Sequence, residues 1–271
     1  MAASQTDKDH QRVMRDLRQQ GQAAVTWGLP NPATEAAVLG MGLVIRDRMS
    51  TGTGNDRAAA AAELAAVMLD KTLSKMPQAA SVQCTKGCNF CCHSTVTASA
   101  PEVFRVARLV QAQEATSPAG TSAVGARAKA RSAATLEALL SLRDPCPLLI
   151  DGNCSVYDGR PMGCRQFLST DVEGCRTAFQ RGSNDLPFIP AAANAGLIVR
   201  SLLMGAASSL QLKVDNYELS SALTIALATP DAEARWLAGE DVLGSAQKVT
   251  LAPNMKSSGE RWGSMLTALF E

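Results

Sequence analysis

The sequence contains only two histidines, His10 and His93, among 271 residues. A serine–histidine–acid catalytic triad therefore has no credible location. A GxxxxGK[ST] phosphate-binding loop is also missing, and Gly40-Met41-Gly42 lies inside a helical pattern, where glycine serves packing. These absences argue against a triad hydrolase and against a P-loop nucleotide-binding protein.

The chain has no excess of either charge, with 26 basic and 25 acidic residues and a net charge of +1. It has no basic arm or stripe, so we expect no nucleic-acid partner. Residues 1–20 are polar and charged, without the apolar core of a secretory signal. We therefore expect a cytoplasmic location.

One apolar run, residues 191–212, is long enough to suggest a membrane span. Asn194, Arg200 and several serines interrupt it, and a central arginine costs about 3 kcal/mol in a bilayer. The run therefore predicts a buried core helix and no membrane partner.

The predicted fold class is mainly α: a single helical domain with an irregular cysteine-rich metal-binding lobe. No alternation of strands and helices is visible, which argues against a parallel sheet. We predict one globular unit in three parts: N-terminal helices in 1–82, the cysteine region in 83–180 and C-terminal helices in 181–271.

Helix starts and stops follow from capping residues, prolines and glycines. Ser99 and Glu102 are predicted to form a capping box at the start of a helix. Asp215 and Glu218 have the same spacing and are predicted to form a second one. A short strand is predicted near 155–157. The predicted helices are 6–21 (apolar stripe Val13, Met14 and Leu17), 31–50, 56–76, 99–116, 127–142, 190–212, 215–228, 230–239 and 260–270.

All eight cysteines lie between Cys84 and Cys175. A chain of this length buries a full core without disulfides, and a reducing compartment disfavours them. Thiolates packed so densely repel one another unless they share a cation, so zinc or iron is the economical explanation. The predicted metal ligands are Cys84, Cys88, Cys91, Cys92, Cys146, Cys154, Cys164 and Cys175.

The spacing Cys88-x-x-Cys91 is that of a metal knuckle, and Gly87 relieves the backbone at its bend. Cys91 and Cys92 are adjacent, so one of them can serve a second centre. Eight thiolates complete two four-ligand sites, or one full site and a partial one, and the sequence does not choose. His93 is left out as a neighbour that supports ligands, and Cys175 has the alternative of a buried apolar residue.

The cysteine region resembles the CxxCxxCC family, described as a zinc- or iron-chelating domain. Residues 83–93 and the helix start at Ser99 match its first signature. The second signature matches Pro145-Cys146-Pro147-Leu148-Leu149, Gly152-Asn153-Cys154-Ser155-Val156-Tyr157 and Arg160-Pro161-Met162-Gly163-Cys164-Arg165-Gln166-Phe167. The resemblance implies chelating positions at seven cysteines, and a further one at Cys175 in many members. It extends distantly, in the cysteine core alone, to flagellin lysine methylases that use an iron–sulfur centre.

Arg160, Arg165 and Tyr157 are the predicted non-cysteine members of the cofactor site. An arginine beside thiolates offsets their charge and donates hydrogen bonds to sulfur, which raises the potential of a cluster. The alternative is that these residues fix the loop.

Three functions are compatible with the sequence. The first is an iron–sulfur protein, with a [4Fe–4S] cluster, or a zinc protein, acting in redox chemistry or supporting a protein partner. The second is an S-adenosylmethionine-dependent enzyme that modifies a protein or peptide, since Cys84, Cys88 and Cys91 have the spacing of the radical signature. The third is a structural zinc site.

Overall fold

Helices dominate the fold, as the sequence predicts. The computed structural model describes residues 32–51, 54–116, 118–141, 144–183, 185–250, 264, 266 and 267. The helices in this part of the chain are α1 (Pro32–Ser50), α2 (Arg57–Leu73), α3 (Ala100–Thr116), α4 (Pro118–Ser132), α5 (Leu136–Ser141), α6 (Met162–Arg165), α7 (Val172–Gln180), α8 (Pro190–Ser209), α9 (Leu219–Ala228) and α10 (Ala232–Leu237). The mainly α fold class is confirmed.

The strands are short and form two separate antiparallel pairs. They are β1 (Thr97–Ser99), β2 (Leu149–Ile150), β3 (Asn153–Cys154) and β4 (Asn216–Glu218), with β1 paired to β4 and β2 to β3. Single 3₁₀ turns cover Ala79–Ser81, Phe90–His93 and Tyr157–Gly159.

The helices α1, α2, α3, α4, α8 and α9 pack around one hydrophobic core. Helix α2 buries a stripe of alanines that includes Ala58, Ala61 and Ala65, and their small side chains let neighbouring helices approach closely. Trp236 and Phe104 are among the largest fully buried side chains, with ring centroids 5.6 Å apart. We call these helices the helical frame; the cysteine-bearing segments 83–96 and 144–171 lie against it.

Helix α8 is the apolar segment that the sequence predicts to be a core helix. Its 20 residues are long and apolar enough to cross a membrane, and 61% of its apolar window is buried inside the protein. It packs against α1 and α2 and carries the buried Arg200. These contacts are those of a core helix, as predicted.

The pair β1–β4 leads directly into two helices. The Ser99 backbone N–H and hydroxyl donate to Glu102 Oε2 over 2.8 and 2.7 Å, so the predicted capping interaction is confirmed. The second predicted box is shifted, because Asp215 precedes β4 and Glu218 itself caps α9 by accepting from Ser221 N–H. Both strands therefore place a glutamate at the start of a helix.

Three predicted elements differ in the structure. The predicted helix 127–142 is two helices, α4 and α5, because Thr135 Oγ1 accepts from Ala138 N–H and starts a new one. Helix α4 also begins at Pro118, nine residues before the predicted start at residue 127, since proline fits a first helical turn. The short strand predicted near 155–157 lies two residues earlier, as β3: Asp151 and Gly152 adopt positive φ and close the hairpin β2–β3 there, and Tyr157 begins a 3₁₀ turn.

Two predicted segments fall mostly beyond the described residues. The helix predicted for 6–21 lies outside them entirely. Of the last predicted helix, residues 264, 266 and 267 are described as helical, and Leu266 is fully buried.

Candidate metal centre

The first cysteine group is held by turns between α2 and β1. Gly87 has φ +95°, a conformation that favours glycine, and Cys88 N–H donates to Thr85 O over 3.0 Å. The following 3₁₀ turn contains Cys91 and Cys92. The backbone bend predicted at Gly87 is therefore present.

The second group is brought to the first by the backbone between α5 and α7. Cys146 N–H donates to Cys92 O over 2.7 Å. The hairpin β2–β3 carries Cys154, and Asn89 Nδ2 of the first group donates to Gly152 O at its turn. Residues more than 50 positions apart in sequence therefore meet at one place.

Helix α6 carries Cys164 and is anchored to the helical frame. Met162 N–H donates to the buried Glu102 Oε1 over 2.8 Å. The side chain of Gln166, which follows α6, packs against Gly196 of α8, where a Cβ atom would overlap with it. The frame thus fixes the position of this cysteine.

Six of the eight cysteines line one cavity of about 460 Å³, which we call the cysteine cavity. They are Cys88, Cys91, Cys92, Cys146, Cys154 and Cys164. Among the described residues, no group of three or more His, Cys, Asp or Glu side chains is arranged to hold a single metal ion as it stands. The thiols therefore surround a space without converging on one point.

Cys84 and Cys175 lie beside this cavity. Cys84 Sγ accepts a hydrogen bond from Ser169 N–H over 3.2 Å. Cys175 is buried on α7, where it packs with Ala178 and Leu186, and Phe90 and Cys91 contact this small cluster. Cys175 thus has the contacts of a buried apolar residue while lying close to the first cysteine group.

Electrostatic effects connect the eight cysteines into one set. The pKa of Cys84 is raised by burial and by the charges of Cys91 and Cys175, against a lowering hydrogen bond from Ser169. The pKa of Cys164 is raised well above its ordinary value, first by burial and then by the charges of Cys146, Cys91 and Cys154. The charge of Cys91 acts on cysteines of both groups, so the two groups are electrostatically coupled.

Burial also keeps these thiols protonated when no cation is bound. It raises the pKa of Cys146 to about 12. The pKa of Cys91 is raised by its hydrogen bond with Cys92 and then by burial. A bound cation reverses this preference because it stabilises the thiolates directly. Sulfur donors in this number fit zinc or an iron–sulfur cluster.

Arg160 and Tyr157 both line the cysteine cavity. The Arg160 guanidinium stacks on the Tyr157 ring, with Cζ 3.7 Å from the ring centroid, and its Nε–H donates to Tyr157 O. Burial raises the pKa of Cys84, Cys154 and Cys164, and the hydrogen bond with Cys92 raises that of Cys91; the charge of Arg160 opposes this rise at all four thiols. Arg160 is thus placed to offset negative charge on the sulfurs.

Arg165 does not line the cavity, and its guanidinium makes hydrogen bonds and an ion pair elsewhere. Its Nε–H donates to Arg160 O over 2.9 Å, one Nη donates to Asp158 O, and the other pairs with Asp70 of α2. These contacts hold the 158–165 loop against the frame, so a direct role of Arg165 at a cofactor stays a prediction. His93 packs its ring against Phe179, with centroids 4.7 Å apart, and is not among the residues that line the cavity.

Sequence reasoning missed part of the cavity lining. Thr97, Arg200 and Asn216 line it together with Gln166. Arg200 is only 2% exposed. An arginine within an apolar helical run was the signal that could have indicated it, because such residues are rarely buried without a partner.

Comparison with known families identifies the cysteine region. Residues 83–182 match the CxxCxxCC family, described as a "putative zinc- or iron-chelating domain". Neither the curated proteins nor the solved structures contain a significant match to the chain. Residues 83–182, which hold all eight cysteines, are therefore a domain similar to the CxxCxxCC family, and this confirms the resemblance of the two sequence signatures.

Proposed function

We propose that the cysteine cavity holds an iron–sulfur cluster and that the chain acts in redox chemistry. The observation that supports this proposal is that six cysteines line one cavity without converging on a single point. A single zinc ion with Zn–S bonds of 2.3 Å draws its sulfurs to within about 3.8 Å of one another. The six thiols instead line, together with other residues, a cavity of about 460 Å³, and they form no single-ion site in the described part of the chain.

A cluster of several iron atoms suits such a site because the iron and sulfide atoms lie between the thiolates and keep them apart. The cavity-lining cysteines supply more than the four ligands that a [4Fe–4S] cluster needs. When bound, the cluster would supply one-electron transfer. Arg160 would offset its negative charge, and the surrounding apolar side chains would limit water access.

Purification of the full chain without oxygen tests this proposal. We expect broad absorption at about 400 nm, together with iron and acid-labile sulfide in similar molar amounts. Cys154→Ser, in the hairpin β2–β3, should lose most of this absorption. Ser155→Ala is the matched control, because it alters the next residue without removing a sulfur.

A colourless protein with stoichiometric zinc would contradict the proposal and favour a structural zinc site. A protein with neither metal would exclude both. The enzyme alternative is tested in the same preparation by adding S-adenosylmethionine and a reductant and measuring cosubstrate cleavage. The described residues contain only two short two-stranded sheets, which is not the barrel that such enzymes use.

A further inference from the structure

Gln166 carries a polar side chain that lies in the wall of the cysteine cavity without a hydrogen bond. It is only 8% exposed, and it is the one glutamine that lines the cavity in the described part of the chain. Its Oε1 accepts no hydrogen bond, and no described residue accepts one from its Nε2. A side-chain amide offers two N–H donors and an acceptor oxygen, and buried polar groups are normally paired. The amide of Gln166 therefore needs a partner that the described residues do not supply.

The backbone of Gln166 is hydrogen-bonded, so only its side chain is short of partners. Its N–H donates to Met162 O over 3.0 Å, and its carbonyl accepts from Leu168 N–H over 2.9 Å. These bonds fix Gln166 directly after α6, two positions from Cys164. Both residues line the cysteine cavity, so the unpaired amide belongs to the same wall as a predicted metal ligand.

Contact with α8 orients this amide. Oε1 and Cβ of Gln166 lie against Gly196, so closely that a Cβ atom at Gly196 would overlap with them. Leu197, the next residue of α8, lines the cavity, so the contact is made at the cavity wall. Because Oε1 is enclosed there, the Nε2–H₂ group is the end of the amide that is available to a group bound in the cavity.

An N–H donor in this wall matches the sulfurs of an iron–sulfur cluster. Reduction adds negative charge that spreads over the sulfide and thiolate sulfurs, and an N–H···S hydrogen bond stabilises this charge. The amide is neutral. Unlike the guanidinium of Arg160, it would therefore act on the reduction potential without changing the net charge of the site.

We propose that Gln166 Nε2 donates a hydrogen bond to a sulfur of the bound cluster and raises its reduction potential. This inference deepens the proposed function and rests on it, because the acceptor is the cluster itself. It requires no space beside the cluster, since the amide is part of the cavity wall.

Pulsed electron paramagnetic resonance of the reduced, full-length protein tests this contact directly. The protein is prepared with nitrogen-15 in the side-chain amides of its glutamines. We expect a nitrogen hyperfine coupling to the cluster, transmitted through the hydrogen bond, and Gln166→Leu should lose it. Absence of the coupling in the unaltered protein would overturn the inference, and this measurement does not depend on the folding of a variant.

Potentiometric titration of the same samples measures the effect of the contact. Gln166→Leu should shift the one-electron reduction equilibrium about tenfold towards the oxidised cluster, which is about 59 mV. Gln247→Leu is the matched control, because Gln247 Nε2 donates to Ser132 O and Ala134 O and the residue does not line the cysteine cavity. The control should leave the potential and the nitrogen coupling unchanged.

An unchanged potential in Gln166→Leu, or equal shifts in the two variants, would contradict the inference. Iron and acid-labile sulfide are measured in every sample. A protein that holds a cluster but shows no nitrogen coupling would refute the role of Gln166 alone. A protein without iron would refute the proposed function and this inference with it.

Discussion

At the scale of single residues, Arg160 is held by Tyr157 and lies beside the cysteines of the cavity. Its guanidinium lies over the Tyr157 ring and is fixed by a hydrogen bond to Tyr157 O. No carboxylate lies within ion-pair distance of it among the described residues, and its charge acts on four of the thiols. Its counter-charge is therefore expected to come from thiolates when the metal is bound.

Arg160→Gln should lower the reduction potential of the bound cluster. Removing one partly buried positive charge makes reduction less favourable, by on the order of 50 mV. Arg176→Gln is the control: Arg176 lies near the Phe90 ring but is exposed and paired with Glu173, so water screens it. Potentiometric titration measures both variants. Equal shifts in the two would contradict the role given to Arg160.

At the scale of elements, a close approach between α8 and the chain after α6 places Cys164. Gly196 leaves no room for a Cβ atom, because the Gln166 side chain lies against it. Gln166 in turn follows α6, whose first residue, Met162, is hydrogen-bonded to Glu102 of α3. The geometry of the cysteine cavity therefore depends on helix packing.

Gly196→Ala should destabilise the protein by about 1–3 kcal/mol, because the added methyl group displaces Gln166. Gly125→Ala, in the middle of α4 with no atom within 4 Å of the new Cβ, should instead stabilise it by about 0.5–1 kcal/mol. Urea unfolding followed by circular dichroism measures both changes. A neutral effect of Gly196→Ala would mean that Gln166 moves freely and does not position Cys164.

At the scale of the whole molecule, the helical frame folds around one core, while the cysteine-bearing segments 83–96 and 144–171 have little regular structure. Residues 144–171 contain only a hairpin of two two-residue strands, a 3₁₀ turn and the four-residue helix α6. The metal would link these loops to the first cysteine group, so its binding energy contributes to folding.

Removing the metal with a chelator should therefore lower the melting temperature, by about 10 °C or more. Hydrogen exchange should increase mainly in residues 83–96 and 144–183, and much less in α2, α3 and α9, which belong to the core. The same treatment of Cys154→Ser, which is expected to lack the metal already, should produce no further decrease. A uniform increase in exchange over the whole chain would contradict this division.

Much of this architecture follows from local sequence. The helix start at Ser99 was predictable because Glu102 is three residues away, within reach of its backbone N–H. The turns that hold Cys88, Cys91 and Cys92 were predictable because these cysteines are close in sequence and follow Gly87. The extent of α4 and the position of the hairpin β2–β3 were not, since weak local preferences at Thr135 and Asp151 decide them.

The sequence by itself determined a mainly α chain and a cysteine-rich region similar to a zinc- or iron-chelating domain, since capping, periodicity and thiol spacing act over a few residues. Only the tertiary structure decided that Thr97, Arg200 and Asn216 meet at the cysteine cavity. These residues are more than 100 positions apart at the extremes, and the packing of α8 against the β1–β4 pair brings them together. The proximity of these residues depends on the packing of the whole core, and no local sequence pattern predicts it.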